Sequence, residues 1–182
     1  GDLTAGNYWG MPSEWMLIEN YSAVFQNTPM VQYVLNSFYV TIPTVIGTVV
    51  LSTLAGFALG TYRFKLNMLV FLLFVGGNFV PFQILMIPVR ELTLKMGMYD
   101  STMGLVLFHI AFQTGFATFV LRSFIRDLPY DLSEAARIEG ANEWQIFHRV
   151  VLPLVRPAVA AVAVLIFTFI WNDYFWATVL TT

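Results

Sequence analysis

Few side chains in these 182 residues have the types that do covalent chemistry. There is no cysteine, which removes thiol catalysis, disulfides and cysteine-ligated zinc together. His109 and His148 stand far apart on different elements, and neither has a histidine or carboxylate partner at a ligand spacing, so no metal is expected. A phosphate-binding loop needs Gly-Lys followed by Ser or Thr, but Lys65 and Lys95 follow Phe64 and Leu94. Five polar side chains sit in or beside apolar runs: Asn78, Gln83, His109, Asn172 and Asp173. They can donate and accept hydrogen bonds, yet they set no nucleophile beside a base, as a membrane-embedded enzyme would require. The expected role is therefore not enzymatic, and no cofactor is expected in this chain.

The second concentration of chemistry is EAARIEGANEWQIFHRVVLPLVRP, Glu134 to Pro157. Residues 122–156 hold half of the charged side chains of the whole chain, with acids and arginines in balance. The pattern predicts two short helices. Pro129 stops what precedes, and Asp131 with Glu134 has the spacing of a capping box. Gly140 suits a helix C-terminus. Asn142 with Gln145 repeats the box, Trp144, Phe147 and Val151 form an apolar stripe, and Leu152-Pro153 closes the second helix. Helices this short are marginal alone in water and need a surface to dock on. That surface is either the groove of a cytoplasmic partner or the protein's own helices.

The elements that position these residues follow from where charge is missing. Charged residues make up only 11% of the chain and hydrophobic ones 58%. A soluble domain carries roughly a quarter charged residues, so this is the composition of a membrane protein. No broad basic surface for nucleic acid is present. A spanning helix needs roughly 20 apolar residues, which places spans near 34–61, 66–88, 102–121 and 157–178, with Pro157 in the first turn of the last. Residues 1–33 read as a loop. Between Gly76 and Val89 the second span carries Pro81 and Pro88, with Asn78 and Gln83. It is either the broken wall of a pathway or a kinked helix with its amides bonded to neighbours. Ser52, Gly56 and Gly60, and again Ala111 and Gly115, give small faces for close helix packing. Only Arg90 and Lys95 of the nine basic residues fall on one side. By the positive-inside rule the other side, with residues 63–65 and 122–156, is cytoplasmic, and residues 1–33 are extracytoplasmic. Trp171, Tyr174 and Trp176 around Asp173 read as an aromatic belt. The alternative for Asn172 and Asp173 is the outer mouth of a pathway.

Glu134-Ala135-Ala136, Gly140 and Val150-Val151-Leu152-Pro153 resemble the cytoplasmic signature E-A-A-x3-G-x9-I-x-L-P of ABC-importer permeases, with Val150 in place of the usual isoleucine. VLNSFYV, the Pro81 to Pro88 spacing, LRSFIRDLP and WNDYFW resemble the carbohydrate branch, specifically the second permease subunit of maltose and glycerol-phosphate type importers. The resemblance implies an all-α polytopic transmembrane bundle of the type I importer fold. Members usually have about six spans, which implies a first and a last span lying outside this sequence. It also implies that the loop carrying Asp131, Glu134, Ala135, Ala136, Gly140, Trp144, Phe147, Leu152 and Pro153 couples to a separate ATPase. Expected partners are two copies of an ATP-binding subunit holding ATP and Mg, a second homologous permease and an extracytoplasmic binding protein. The lipid of a prokaryotic inner membrane would surround the assembly. The expected function is import of a sugar or related polyol; the alternative is a non-catalytic membrane scaffold or assembly protein that only docks a partner.

Overall fold

The computed structural model describes residues 15–181, and no strand occurs among them. Two compact units are present, Gly1–Ser37 and Phe38–Thr182. In the first, α1 is Leu17–Asn27 and α2, Met30–Thr61, takes its opening turns. The expected loop over 1–33 is therefore wrong where it can be compared; residues 1–14 lie outside the described part. Leu17, Ile18, Tyr21, Val24 and Phe25 recur at helical spacing, and that stripe makes α1 despite the lack of a side-chain cap.

The second unit continues α2 and adds α3 (Asn67–Gly76), α4 (Met86–Lys95), α5 (Thr102–Arg126), α6 (Tyr130–Ile138), α7 (Glu143–Ile146), α8 (Leu152–Trp171) and α9 (Phe175–Leu180). Among the described residues three helical stretches are long and apolar enough to cross a membrane: Met30–Thr61, Thr102–Arg126 and Glu143–Trp171. A fourth candidate is the pair Asn67–Phe79 and Phe82–Lys95, bent by 92°. The bend belongs to Pro81. Val80 before it is forced extended, at φ −78° and ψ 123°, because a proline disfavours the helical region in its predecessor. Pro88 does no such damage. It lies in the first turn of α4, where its missing N–H would have had no intrahelical partner.

The bent pair traverses the full height of the bundle. At one end Asn67 Nδ2 donates to the carbonyls of Leu59 (3.0 Å) and Tyr62 (2.8 Å), tying the start of α3 to the end of α2. Arg122 Nε donates to the same Leu59 carbonyl at 3.1 Å, so α5 ends there too. At the other end Leu85 and Val89 pack with Leu105, the beginning of α5, and with Trp176 and Leu180 of α9. Thus α2 and α5 run parallel, and the bent pair carries the chain back between them. A Cβ on Gly56 would stand 3.1 Å from the Arg122 backbone nitrogen; glycine there lets the two parallel backbones approach. α8 then returns along α5, with Ala158, Val162, Ile166 and Ile170 against Ala117 and Leu121.

The fourth span departs from expectation at both ends. The helical run starts at Glu143 and passes through Pro153 and Pro157 rather than closing at the first and restarting at the second. A π turn at Phe147–Val151 precedes Pro153. Its wider spacing, with the Leu152 N–H on the Phe147 carbonyl, shifts the hydrogen-bond ladder just ahead of a residue that has no N–H to give. The helix then stops at Trp171, not near 178, and α9 begins after a three-residue break, Asn172 to Tyr174.

Candidate functional site

The charged loop folds as two helical pieces around a glycine turn. α6 begins at Tyr130, directly after Pro129. The expected Asp131 cap is absent: Asp131 lies inside the first turn, and no side-chain cap hydrogen bond forms. Proline's fixed φ, −56° here, sets the helix start two residues earlier than a capping aspartate would. Asp131 still favours the helix through the dipole of its first turn. Gly140 has φ +85°, and the amide of Ala141 reaches back to the Ala136 carbonyl at 3.0 Å, which closes α6. The second box forms as expected. Asn142 Oδ1 accepts from the Gln145 amide at 2.9 Å, and Gln145 Oε1 accepts from the Asn142 amide at 2.8 Å.

One face of this loop is fastened to the bundle. Phe147 is only 6% exposed and packs with Phe57, Ile125, Ile146, Val151 and Val155. Phe147 is therefore a core residue of this chain and not an exposed contact: the π turn that follows α7 turns it inward onto the ends of α2 and α5. Leu152 and Pro153 are likewise partly covered in the run leading into α8. A polar clamp completes the attachment. Arg137 donates Nε to Glu143 Oε1 at 3.0 Å and Nη2 to Oε2 at 3.2 Å, and the Tyr62 hydroxyl donates to Glu143 as well. Burial, and then the adjoining Glu143 carboxylate, push the Tyr62 phenol up to about 12. The hydrogen bond it donates to Glu143 holds the Arg137 guanidinium above its ordinary range.

The opposite face is open. Ile138 is 82% exposed, Trp144 62%, and Leu132 is exposed with them. Glu134, Ala135, Glu139 and Gly140 lie on the same open side, while Ala136 is partly covered. Exposed apolar side chains interspersed with exposed acids, on a loop fixed from behind, suit a docking role.

The other polar site lies at the far end. His109 of α5 is buried, and its Nε2 stands 3.4 Å from Asp173 Oδ2. The same carboxylate caps α9, accepting from the Ala177 amide at 3.1 Å and the Trp176 amide at 3.4 Å. Of the aromatic belt expected around Asp173, Trp171 and Tyr174 are exposed, whereas Trp176 is buried, its ring centroid 4.1 Å from that of Phe108. Asp173 itself is engaged on two sides, by the α9 amides and by His109. Asn172 is exposed and gives its Nδ2 to the Thr168 carbonyl at 2.7 Å. Asn78 and Gln83 are exposed on the bent segment, with Asn78 close to Gly115 of α5. His148 does not join His109; its Nδ1 meets the Trp144 carbonyl at 2.6 Å. Among the described residues no group of His, Cys, Asp or Glu could hold a metal ion. The structure also buries Thr41, Thr44, Thr48 and Ser52 along one face of α2. Sequence reasoning picked out Ser52 as part of a packing face but missed the three threonines, although their helical spacing was the available signal.

This arrangement, a loop clamped beneath helices that traverse a bundle, has known counterparts. Residues 9–182 match the family of binding-protein-dependent transport system inner membrane components. The chain belongs to that family. A permease protein of the diacetylchitobiose uptake system of Streptomyces coelicolor is 32% identical over 96% of this chain and 57% of its own. The sn-glycerol-3-phosphate transport system permease protein of Salmonella typhimurium is 34% identical over 91% of this chain and 60% of its own. A crystal structure of a bacterial ABC transporter involved in import of the acidic polysaccharide alginate aligns with TM-score 0.71 and 26% identity, covering 81% of this chain and 51% of that one. The chain thus spans less than two thirds of the length of these relatives. As a member of this family, with helices of this length and apolarity, it is an integral membrane protein.

Proposed function

We propose that this chain is the membrane-spanning subunit of an ATP-driven, binding-protein-dependent importer, and that the open face of α6 and the Gly140 turn is where the ATPase engages it. The observation that carries this is the two-faced loop: Phe147 and the Arg137–Glu143–Tyr62 clamp hold one side to the bundle, and Leu132, Ile138 and Trp144 are left for a partner. A push on such a loop moves the helix ends to which it is clamped. Two copies of a cytoplasmic ATP-binding subunit, holding ATP and Mg, supply that push, and ATP hydrolysis takes place there rather than in this chain. A second homologous permease completes the pathway, and an extracytoplasmic protein delivers a sugar or related polyol. Family membership and the names of the sugar-type relatives support that substrate class. The setting is a prokaryotic inner membrane, with the Arg122 end cytoplasmic. Asn78, Gln83 and Asn172, exposed on or beside apolar segments, are the residues for contact with passing hydroxyls.

The test uses Ile138→Asp and Leu132→Asp, which alter exposed side chains only. Insertion and melting temperature should stay as they are, because exposed substitutions seldom move stability. The ATP-binding subunit should no longer co-purify, and substrate-stimulated ATP hydrolysis should fall at least tenfold. Normal assembly and normal stimulation in the double variant would refute the docking face. Assembly without any substrate stimulation in the unaltered complex would point to the scaffold alternative.

A further inference from the structure

Beside the clamp lies a groove of about 1040 Å³ that the docking face does not use. It runs between the end of α2, the turn from Tyr62 to Asn67, the last turn of α5 and the start of α6. Its lining includes Arg63, Lys65, Arg122, Arg126 and Arg137, against a single acid, Glu143. Glu143 is already occupied by Arg137 and Tyr62. Arg122 is committed as well: it bonds the Leu59 carbonyl and Asn67 Oδ1, and its guanidinium lies 4.0 Å from the centre of the Phe71 ring. Arg63, Lys65 and Arg126 remain. All three are exposed, and none forms an ion pair among the described residues.

Three like charges around one concavity, with no counter-charge left, favour an anionic occupant. Position selects which anion. The groove opens where the apolar helices end. Next to it Phe64, Leu66, Met68, Leu69 and Leu72 are exposed along the approach to α3 and its outer face. A free phosphate would satisfy the charges and leave that apolar face uncovered. A phospholipid satisfies both, with its phosphate among the three cations and its acyl chains along α3. Basic pockets between membrane helices at this depth suit anionic headgroups. We propose that this groove is a binding site for an anionic phospholipid of the leaflet at the Arg122 end, with Arg63, Lys65 and Arg126 as its headgroup ligands.

The intact permease, purified in detergent with its assembly and stripped of lipid, is offered phosphatidylglycerol and phosphatidylcholine, and retention is read by native mass spectrometry. Unaltered protein should prefer phosphatidylglycerol. Each basic residue near an anionic headgroup contributes roughly fivefold, so Arg63→Gln/Lys65→Gln/Arg126→Gln should lose at least tenfold of that preference. Arg63→Lys/Arg126→Lys, which keeps the charges, should retain most of it. A triple variant with full preference overturns the proposal. So does complete displacement of the lipid by inorganic phosphate at low millimolar concentration, which would make the ligand a free anion. Loss of the ATP-binding subunit with lipid preference unchanged would make the groove a protein contact, and overturns it too. If the triple variant does not insert, Arg63→Gln and Lys65→Gln are read singly. Each should lose several-fold, and full preference in both is again decisive against the site.

Discussion

Asp173 is a single carboxylate serving two elements. It caps α9 through the Trp176 and Ala177 amides and faces the buried His109 of α5 at 3.4 Å. Removing the cap alone costs about 1 kcal/mol. Neither nitrogen of the His109 ring forms a hydrogen bond among the described residues, so what Asp173 offers the buried ring is an electrostatic contact, and removing the carboxylate adds the loss of that contact. Asp173→Ala should therefore destabilise more than Asp173→Asn, which keeps an oxygen for the α9 amides. The pairing itself is read by a double-mutant cycle with His109→Gln and Asp173→Asn, scored by thermal unfolding in detergent. Residues in contact couple by about 0.5–3 kcal/mol, whereas independent sites add to within about 0.5. Additivity in that cycle would remove the pair. None of this was legible in the sequence. Both residues stood out as polar groups in apolar surroundings, but their meeting depends on α8 stopping at Trp171, and no proline or glycine marks that stop. Counting along an uninterrupted helix placed Asp173 in an interfacial belt instead. The Asn142–Gln145 box was legible because everything it needs lies within four consecutive residues.

The loop elements show the same divide between local and tertiary causes. Gly140 was readable as a helix stop, and its φ of +85° shows why glycine stands there: other residues in the left-handed region are strained by roughly 1–2 kcal/mol. Nothing lies within 4 Å of a Cβ built at that position, so the cost of Gly140→Ala is conformational and not steric. Gly140→Ala should lower the unfolding free energy by about 1 kcal/mol and weaken assembly with the ATP-binding subunit. Gly140→Asn should do less, because asparagine tolerates this region better. Equal behaviour of alanine, asparagine and glycine in both assays would show that the turn is not held at positive φ in the assembled protein. The inward face of the run from α7 into the π turn was not readable. Trp144, Phe147 and Val151 fall on one helical stripe by spacing, yet Phe147 and Val151 join the core while Trp144 stays out. The choice is made by the ends of α2 and α5, remote in sequence. The prolines misled for a related reason: read alone Pro153 ends one helix and Pro157 begins the next, but Pro153 follows a π turn and Pro157 is carried within α8.

At the scale of the molecule, the proposed sidedness rests on charge. Of the nine basic residues only Arg90 and Lys95 lie at the Asp173 end, and under the positive-inside rule the proposal puts the Arg122 end in the cytoplasm. Geometry adds that the segment bent by 92° is a crossing and not a loop that enters and leaves on one side. Its start is bonded to the ends of α2 and α5, and its far part packs against the beginning of α5 and α9. Side chains on either side of the bend must therefore meet opposite aqueous phases. The chain has no cysteine of its own, so single introduced thiols can be followed without background. Phe64 and Ile138 are exposed at the Arg122 end, and Met96 is exposed beyond α4. Phe64→Cys and Ile138→Cys should resist a membrane-impermeant maleimide in intact cells and react once the membrane is opened. Met96→Cys should react in intact cells. Labelling of Phe64→Cys and Met96→Cys from the same side would mean that the bent pair is re-entrant. α2 and α5 could not then run parallel through the bilayer, and the contact between Arg122 and the Leu59 carbonyl would have to be lost in the native protein.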